Sequence, residues 1–570
     1  MDSEWGFAPF VVIFIATLVI GASIGGFLAF QKKEPQVFET VPSVENPPIP
    51  IEQTLLSETP TAAMSNGYRE KRPSPSPSST SPKAQNAMTF VVTVPENTPQ
   101  DNTVWAYIWQ APRKMEKAGD NVYRLTLTET ELVEASKSQV KPDAIVPYRY
   151  SRNGYDFHTA EYLEPTAEEP NRDTNDYFWT KKGREAIYNP GKTVNDTVKR
   201  WRWFSEKGMP AQTTTLEPDR EFLPRIDGIS FRSGQTIEDL YVPAFHDFFD
   251  TTARHMKRLG FTWVELDPPW QWIEENGLPK IRNKSASNPN YPDDETFLEE
   301  VRAYKKEGLH VLVAPQVCCA QLNTQDRKKE WWDAYFDETE RFLVYFAKLA
   351  EQGDADAFMY AVSSWDAYPA SVDLEKKWRT IFGSIKKVFS GEVGEMIWML
   401  GPDVSASPQP IPDTAFVTWG DELDFFLVAM EFPLSTKNNP TDDDLEEGAE
   451  SVIEGVKKFY EKFKKPIIIR NGYFNVKYSW KGQSFYQIDS IPSISDPEAK
   501  LEESKYEFDT TDHARTVHAY FRATAERPWI AGYFHFGYTH WEDPLSPWMS
   551  IRGKQAEDIW RKWNKLIYGS

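Results

Sequence analysis

The chain begins with an uncharged apolar run and then changes its hydrophobic rhythm three times. Residues 9–30, PFVVIFIATLVIGASIGGFLAF, contain no charged side chain. A helix that spans a bilayer needs about 20 such residues, so this stretch predicts a single transmembrane helix. Residues 31–87 show no periodicity and include PSPSPSSTSP. A stretch so rich in Pro, Ser, Thr and Glu cannot build a core and predicts a disordered, semi-extended tether. From 88 to 205 short runs such as MTFVVTVP, TVWAYIW, VYRLTLT, IVPYRYSR and TVNDTVKRW alternate apolar with polar residues between Pro, Asn, Asp and Gly. Period-two alternation of this kind predicts a small β-sandwich.

The rhythm changes again over residues 223–570. Apolar runs stand at GISF (228–231), TWVEL (262–266), HVLVAP (310–315), AFMYAV (357–362), MIWML (396–400), FFLVAM (425–430), PIIIR (466–470) and WIAGYFHF (529–536). Amphipathic helical stretches separate most of them. In AFHDFFDTTARHMKRLG, Phe245, Phe248, Phe249, Thr252 and Met256 share one helical face, and Gly260 marks the stop. Eight strands alternating with helices predict an α/β fold, a (β/α)8 barrel. The Pro-rich link between the fifth and sixth strands is the least regular, with one short helix near 414–423.

On such a barrel the chemistry sits at the C-terminal ends of the strands. Those ends carry Asp267, Trp270 and Trp272 after strand two, Gln316 after strand three, and Trp365, Asp366 and Tyr368 after strand four. Asp403 follows strand five and Glu431 strand six. Strand seven gives Asn471 and Tyr473, and strand eight His535, Tyr538 and Trp541. Carboxylates, amides and aromatic rings are thus expected on one rim, a composition suited to a sugar.

Bulk composition narrows the partners. Aromatic residues make up 14% of the chain, with 21 Trp, and the net charge is -21. A surface that acidic repels phosphate backbones and argues against nucleic acid. The two cysteines, Cys318 and Cys319, are adjacent and imply no disulfide framework. CxxC and HExxH are absent, so neither a metal site nor a cofactor is expected. Gly21 and Gly25 form a GxxxG that could pair two membrane helices into a homodimer. Lys32 and Lys33 after the helix favour a cytoplasmic domain, whereas a long Pro/Ser stalk favours an extracellular one. The reading adopted is a single-pass membrane protein with its large domains outside the cell.

Two resemblances add to this reading. FVVTVPENTP, YRYSR, EEPNR and NDTVKRW, in that order over 88–205, resemble the starch-binding modules of carbohydrate-binding module family 20. That resemblance implies accessory glycan contacts after the YRYSR strand, where Tyr155 and Phe157 stand in place of the usual tryptophan. FDTTARHMKRLGFTWVELDPPWQW and ERPWIAGYFHFGYTHWEDPLSPWMSIRGKQAEDIW resemble glycoside hydrolase family 113, within the clan of retaining (β/α)8 glycosidases. The second resemblance covers most of 225–566 and implies two glutamates, an acid after strand four and a nucleophile after strand seven. Here the first position reads AVSSWDAY and the second IRNGY, with Asn471 where a glutamate is expected. An amide cannot be the nucleophile.

Asp366, just beyond the strand-four slot, and Glu431, on the neighbouring strand six, are therefore the catalytic candidates. Asp267, Trp270, Trp272, Gln316, Trp365, Tyr368, Asn471, Tyr473, His535, Tyr538 and Trp541 are the expected substrate contacts. The resulting expectation is a membrane-anchored glycoside hydrolase-like protein acting on a polysaccharide or cell-surface glycan. The alternative is a catalytically silent, carbohydrate-binding barrel.

Overall fold

The computed structural model describes residues 87–570, excluding 101, 110, 154–158, 164–182, 202–203, 205–211, 238–242, 284–291, 319–321, 323, 325–326, 362–367, 369–370, 400–416, 483–506, 543 and 570. The apolar run at 9–30 with Gly21 and Gly25, the tether, Tyr155, Phe157, Trp365 and Asp366 lie outside the described residues. No helix among the described residues is long and apolar enough to cross a membrane.

Residues 87–204 build two four-stranded sheets. One has the order β4–β5–β1–β8: β1 is Ala87–Thr93, β4 Glu116–Lys117, β5 Val122–Thr128 and β8 Thr193–Thr197. The other has the order β3–β2–β6–β7: β2 is Val104–Ile108, β3 Ala111–Lys114, β6 Ile145–Arg152 and β7 Arg184–Ile187. Phe90 and Val92 from the first sheet and Val104, Ala106, Val146 and Tyr150 from the second share one core. That shared core makes the pair a sandwich. The short helix α1 (Glu129–Ser136) starts with a reciprocal capping box between Thr128 and Glu131.

Residues 232–568 form a closed barrel of eight parallel strands. In chain order they are β9 (Arg232–Ile237), β10 (Trp263–Leu266), β13 (His310–Val313), β15 (Ala357–Ala361), β16 (Glu392–Met399), β17 (Phe425–Met430), β18 (Ile467–Asn471) and β19 (Ile530–Tyr538), with β19 closing on β9. A hairpin of β11 (Pro269–Glu275) and β12 (Leu278–Arg282) adds the short β14 (Gln316–Cys318) to a three-stranded sheet above strands two and three. Among the described residues, seven helices α2–α8 pack outside: Phe249–Arg258, Asp294–Lys306, Lys329–Gln352, Leu374–Lys386, Asp442–Phe463, Thr510–Ala525 and Gln555–Tyr568. The expected first strand, GISF at 228–231, is corrected to RSGQTI at 232–237.

The barrel interior is a packed floor. Trp263, Leu312, Met359, Met396, Phe425, Leu427, Ile468 and Phe534 fill it. The rings of Phe534 and Phe425 lie so close to Gly234 and Gly394 that any side chain there would collide with them. Each large ring thus lies over a glycine of the neighbouring strand, and together the large residues fill the lumen below the mouth.

The sandwich sits at the mouth end. Its Trp105 packs with Phe245, Phe248 and Phe249, which follow strand one, with Ala303, and with Trp541, which follows strand eight. From there the chain must reach the far end of the barrel to begin strand one. Residues 212–226 make that crossing along α7 and α8. Gln212 accepts from Thr510 Oγ1 at 2.6 Å, and Lys562 Nζ donates to the Thr214 and Leu216 carbonyls at 2.7 and 2.9 Å. Leu223 N donates to the Ala525 carbonyl at 3.0 Å, past the last turn of α7. Arg225 then donates to the Thr524 and Arg527 carbonyls at 3.1 and 2.7 Å.

Candidate active site at the barrel mouth

A strand alternates its side chains between lumen and helix layer, so one inward residue fixes the rest. On β18, Ile468 belongs to the interior, which places Arg470 inward and Asn471 outward. The contacts agree: Arg470 pairs with Glu265 of β10 inside the barrel, whereas Asn471 Oδ1 accepts from Tyr533 OH at 3.0 Å. On β17, Leu427 and Ala429 are inward, which continues the inward set to Glu431.

The mouth therefore gathers Glu265, Asp267, Gln316, Glu431 and Arg470. Thr236 Oγ1 donates to Glu265 Oε2 at 2.6 Å, and Arg470 holds the other oxygen. Both partners are essentially fully buried, so the pair stands as an internal counter-ion unit. Gln316 Nε2 donates to Asp267 Oδ2 at 2.6 Å, and Asp267 Oδ1 is buried with no hydrogen-bond partner among the described residues. Glu431 Oε2 is likewise buried and unpartnered there.

Their electrostatics follow from position. Burial, and then the charge of Glu265, push the Asp267 carboxyl well above the usual carboxylate range against the pull of Arg470. Burial pushes Glu431 up to about 8, with Arg470 opposing. The Glu431 carboxyl is thus largely protonated near neutral pH and is a donor rather than a nucleophile. A buried acid kept neutral in this way is what a general acid requires.

The remaining expected contacts fall elsewhere. Trp270 packs on Phe342, Tyr345 and Phe346 of α4, and Trp272 stacks on Tyr335 with centroids 5.0 Å apart. Tyr368 lies against Trp332. Tyr473 OH bonds Tyr520 OH at 2.9 Å behind strand seven. His535 Nε2 faces His513 Nε2 at 3.1 Å, and burial holds His535 neutral by lowering it to about 3. Tyr538 OH donates to Glu557 at 2.8 Å, and Trp541 joins the sandwich. Of the expected residues, the mouth brings together Asp267, Gln316 and Glu431. Asp366, the other catalytic candidate, lies outside the described residues.

Sequence reasoning did not single out Glu265, Arg470 or Met549. The segment after strand eight is pinned over strand seven by Asn475, whose backbone N donates to the Pro547 carbonyl at 2.8 Å and whose amide donates to the Ser550 carbonyl at 3.1 Å. A Cβ on Gly472 would lie 2.7 Å from Met549 Sδ and 3.5 Å from Glu431 Oε1. The absent side chain thus lets Met549 close in beside Glu431. No group of three or more His, Cys, Asp or Glu among the described residues could hold a metal ion.

Fold and mouth together define a (β/α)8 barrel with a carboxyl-lined mouth. A family model described as Glycoside Hydrolase Family 113 matches residues 249–550. The chain belongs to Glycoside Hydrolase Family 113 and is a glycoside hydrolase-like protein. Among solved structures, it is similar to a complex of a GH113 β-1,4-mannanase, with 16% identity, TM-score 0.44, and coverage of 61% of this chain and 99% of that one. It is similar also to the GH113 β-mannanase of Alicyclobacillus acidocaldarius in complex with ManMIm, with 16% identity, TM-score 0.41, and coverage of 61% and 99%. The endo-β-1,4-mannanase of Thermotoga petrophila gives 11% identity, TM-score 0.37, and coverage of 62% and 78%. No curated protein matches the chain.

Proposed function

We propose that the protein acts on a polysaccharide or cell-surface glycan as a glycoside hydrolase whose proton donor is Glu431. The observation that carries this reading is the Glu431 carboxyl: inward at the mouth, buried, unpartnered at Oε2 and pushed up to about 8. Its proton passes to the glycosidic oxygen as the bond to the anomeric carbon breaks. The last inward residue of strand seven is the cation Arg470, committed to Glu265, so a covalent glycosyl-enzyme on that strand is not part of the proposal. Water attacks the anomeric carbon instead, and Asp366 in the loop after strand four takes the water proton. A single displacement of this type inverts the anomeric centre.

Asp267 and Gln316 hold sugar hydroxyls beside the reacting bond. The sandwich serves as an accessory glycan module, with Tyr155 and Phe157 as its rings. The apolar run at 9–30 anchors the chain, with the folded domains outside the cell.

One observation favours a second reading. A buried Glu265–Arg470 pair in place of a strand-seven carboxylate suits a barrel that holds a glycan without cutting it. Incubation with β-mannan, β-glucan, starch and cell-wall glycans separates the two. Release of reducing ends, lost in Glu431→Gln and Asp366→Asn, with the first-formed anomer inverted by NMR, is the expected result. Binding without release on every substrate selects the second reading.

A further inference from the structure

A cavity of about 570 Å³ lies in the sandwich where the chain passes from one sheet to the other. Residues Lys114 to Lys117 make that passage: β3 ends in the second sheet at Lys114 and β4 begins in the first at Glu116. Val104, Met115 and Tyr123 give the cavity an apolar floor, and Gln100, Asn102 and Lys117 give it polar walls. Asn102 is held in place, its Oδ1 accepting from Arg152 at 2.8 Å and Asn153 at 3.0 Å. Lys117 Nζ donates to Gln100 Oε1 at 2.9 Å, so both side chains already reach toward one another across exposed surface.

Charge and position limit the ligand. Lys114 is paired with Asp247 of the barrel, and Glu116 stands beside Lys117, so the cavity carries little net charge. An apolar floor with amide and ammonium donors around it matches a neutral sugar ring, whose C–H face is apolar and whose rim is hydroxyls. The cavity also adjoins the domain seam. Lys114, which lines the cavity, reaches the barrel through its pair with Asp247.

We infer that this cavity is an outer subsite for the same glycan chain whose other end occupies the barrel mouth. The inference rests on the mouth being a glycan site. It adds that recognition extends across the seam onto the sandwich through Gln100, Lys117 and the Met115 floor, in addition to the Tyr155 and Phe157 rings proposed for the module.

Two methionine methyl groups report the two sites in one experiment. Met115 lines the outer cavity, and Met549 lies beside Glu431 at the mouth. The full chain with labelled methionine methyls is titrated with mannohexaose, cellohexaose and maltohexaose and with the corresponding disaccharides, and methyl shifts are followed by NMR. A productive hexasaccharide is expected to move both resonances and its disaccharide Met549 alone. Gln100→Ala combined with Lys117→Ala is expected to abolish the Met115 response and to weaken hexasaccharide binding about tenfold, the loss of one or two modest hydrogen bonds. Disaccharide binding is expected to stay unchanged. If Met549 moves while Met115 stays still, the outer subsite is overturned and the mouth reading stands. If Met115 alone moves, the outer cavity binds sugar but the shared chain and the mouth reading both fall. If neither moves with any of the sugars, both are overturned.

Discussion

At the scale of single residues, the mouth depends on which charges are matched. Glu265 and Arg470 neutralise each other inside the barrel, and removing one partner leaves a buried charge with no counter-ion. Arg470→Met is expected to cost roughly 3–5 kcal/mol of stability. Adding Glu265→Gln to that variant should recover much of the loss, and urea unfolding of the two variants checks both statements. Glu431 gives a pH signature of known sign. Its folded carboxyl is pushed up to about 8, while an unfolded one titrates near the ordinary 4.5. Between those values the folded state holds a proton that the unfolded state has lost, so stability falls as pH rises through that window. Glu431→Gln should remove this share of the decline. Thermal unfolding at pH 5 and pH 9 should show the variant gaining on the parent at pH 9. Glu395, buried behind strand five and bonded to Trp419 Nε1 at 2.6 Å, is also pushed up to about 8 and should add a decline of its own that the variant retains.

The same scale explains what the sequence could and could not show of the site. The run IIIRN names the strand but not which of its residues look inward. Asn471 stands where the glycosidase pattern led us to expect a glutamate, yet it is one residue out of phase with Ile468. Counting by two from an interior isoleucine reaches Arg470 and would have found the cation. Glu265 was legible in the same way from Trp263. Met549 had no such signal, because it arrives through a loop clamped by hydrogen bonds to main-chain carbonyls, and such bonds leave no periodic trace.

At the scale of elements, hydrophobic rhythm located most of the barrel. It misplaced strand one because RSGQTI has almost no apolar residue. That strand is stabilised by specific polar contacts instead: Ser233 Oγ donates to Asn564 at 2.6 Å, and Thr236 donates to Glu265. A scan for apolar runs therefore selects the neighbouring GISF. The segment 544–550 behaves as an element too, although it lacks regular structure. Asn475 ties it to strand seven, so Asn475→Ala should cost about 1–3 kcal/mol through the loss of its hydrogen bonds to the Trp548 and Ser550 carbonyls and to His513. Hydrogen exchange should show faster opening in residues 546–551 than in β18 or β19.

At the scale of the whole molecule, the two folded parts are joined by an apolar seam and by a long crossing. The seam is centred on Trp105, and its surface ion pair, Lys114 with Asp247, contributes little because both groups are substantially exposed. Trp105→Ala should therefore uncouple the parts, at a local cost of about 3–5 kcal/mol typical of a buried tryptophan. In calorimetry the parent is expected to melt in one transition and the variant in two.

The crossing at 212–226 has a consequence of its own. It begins at the mouth end of α7 and finishes past the opposite end, so its span is set by the height of the barrel. It works as a ruler and not as a hinge. With Gln212 bonded at Thr510 and Arg225 at the Thr524 and Arg527 carbonyls, removing two or three residues between them would break the bonds at one end or draw strand one out of register with its neighbours. The length of this segment is held to the size of the barrel beside it, with the side chains of Gln212 and Arg225 fixing its two ends.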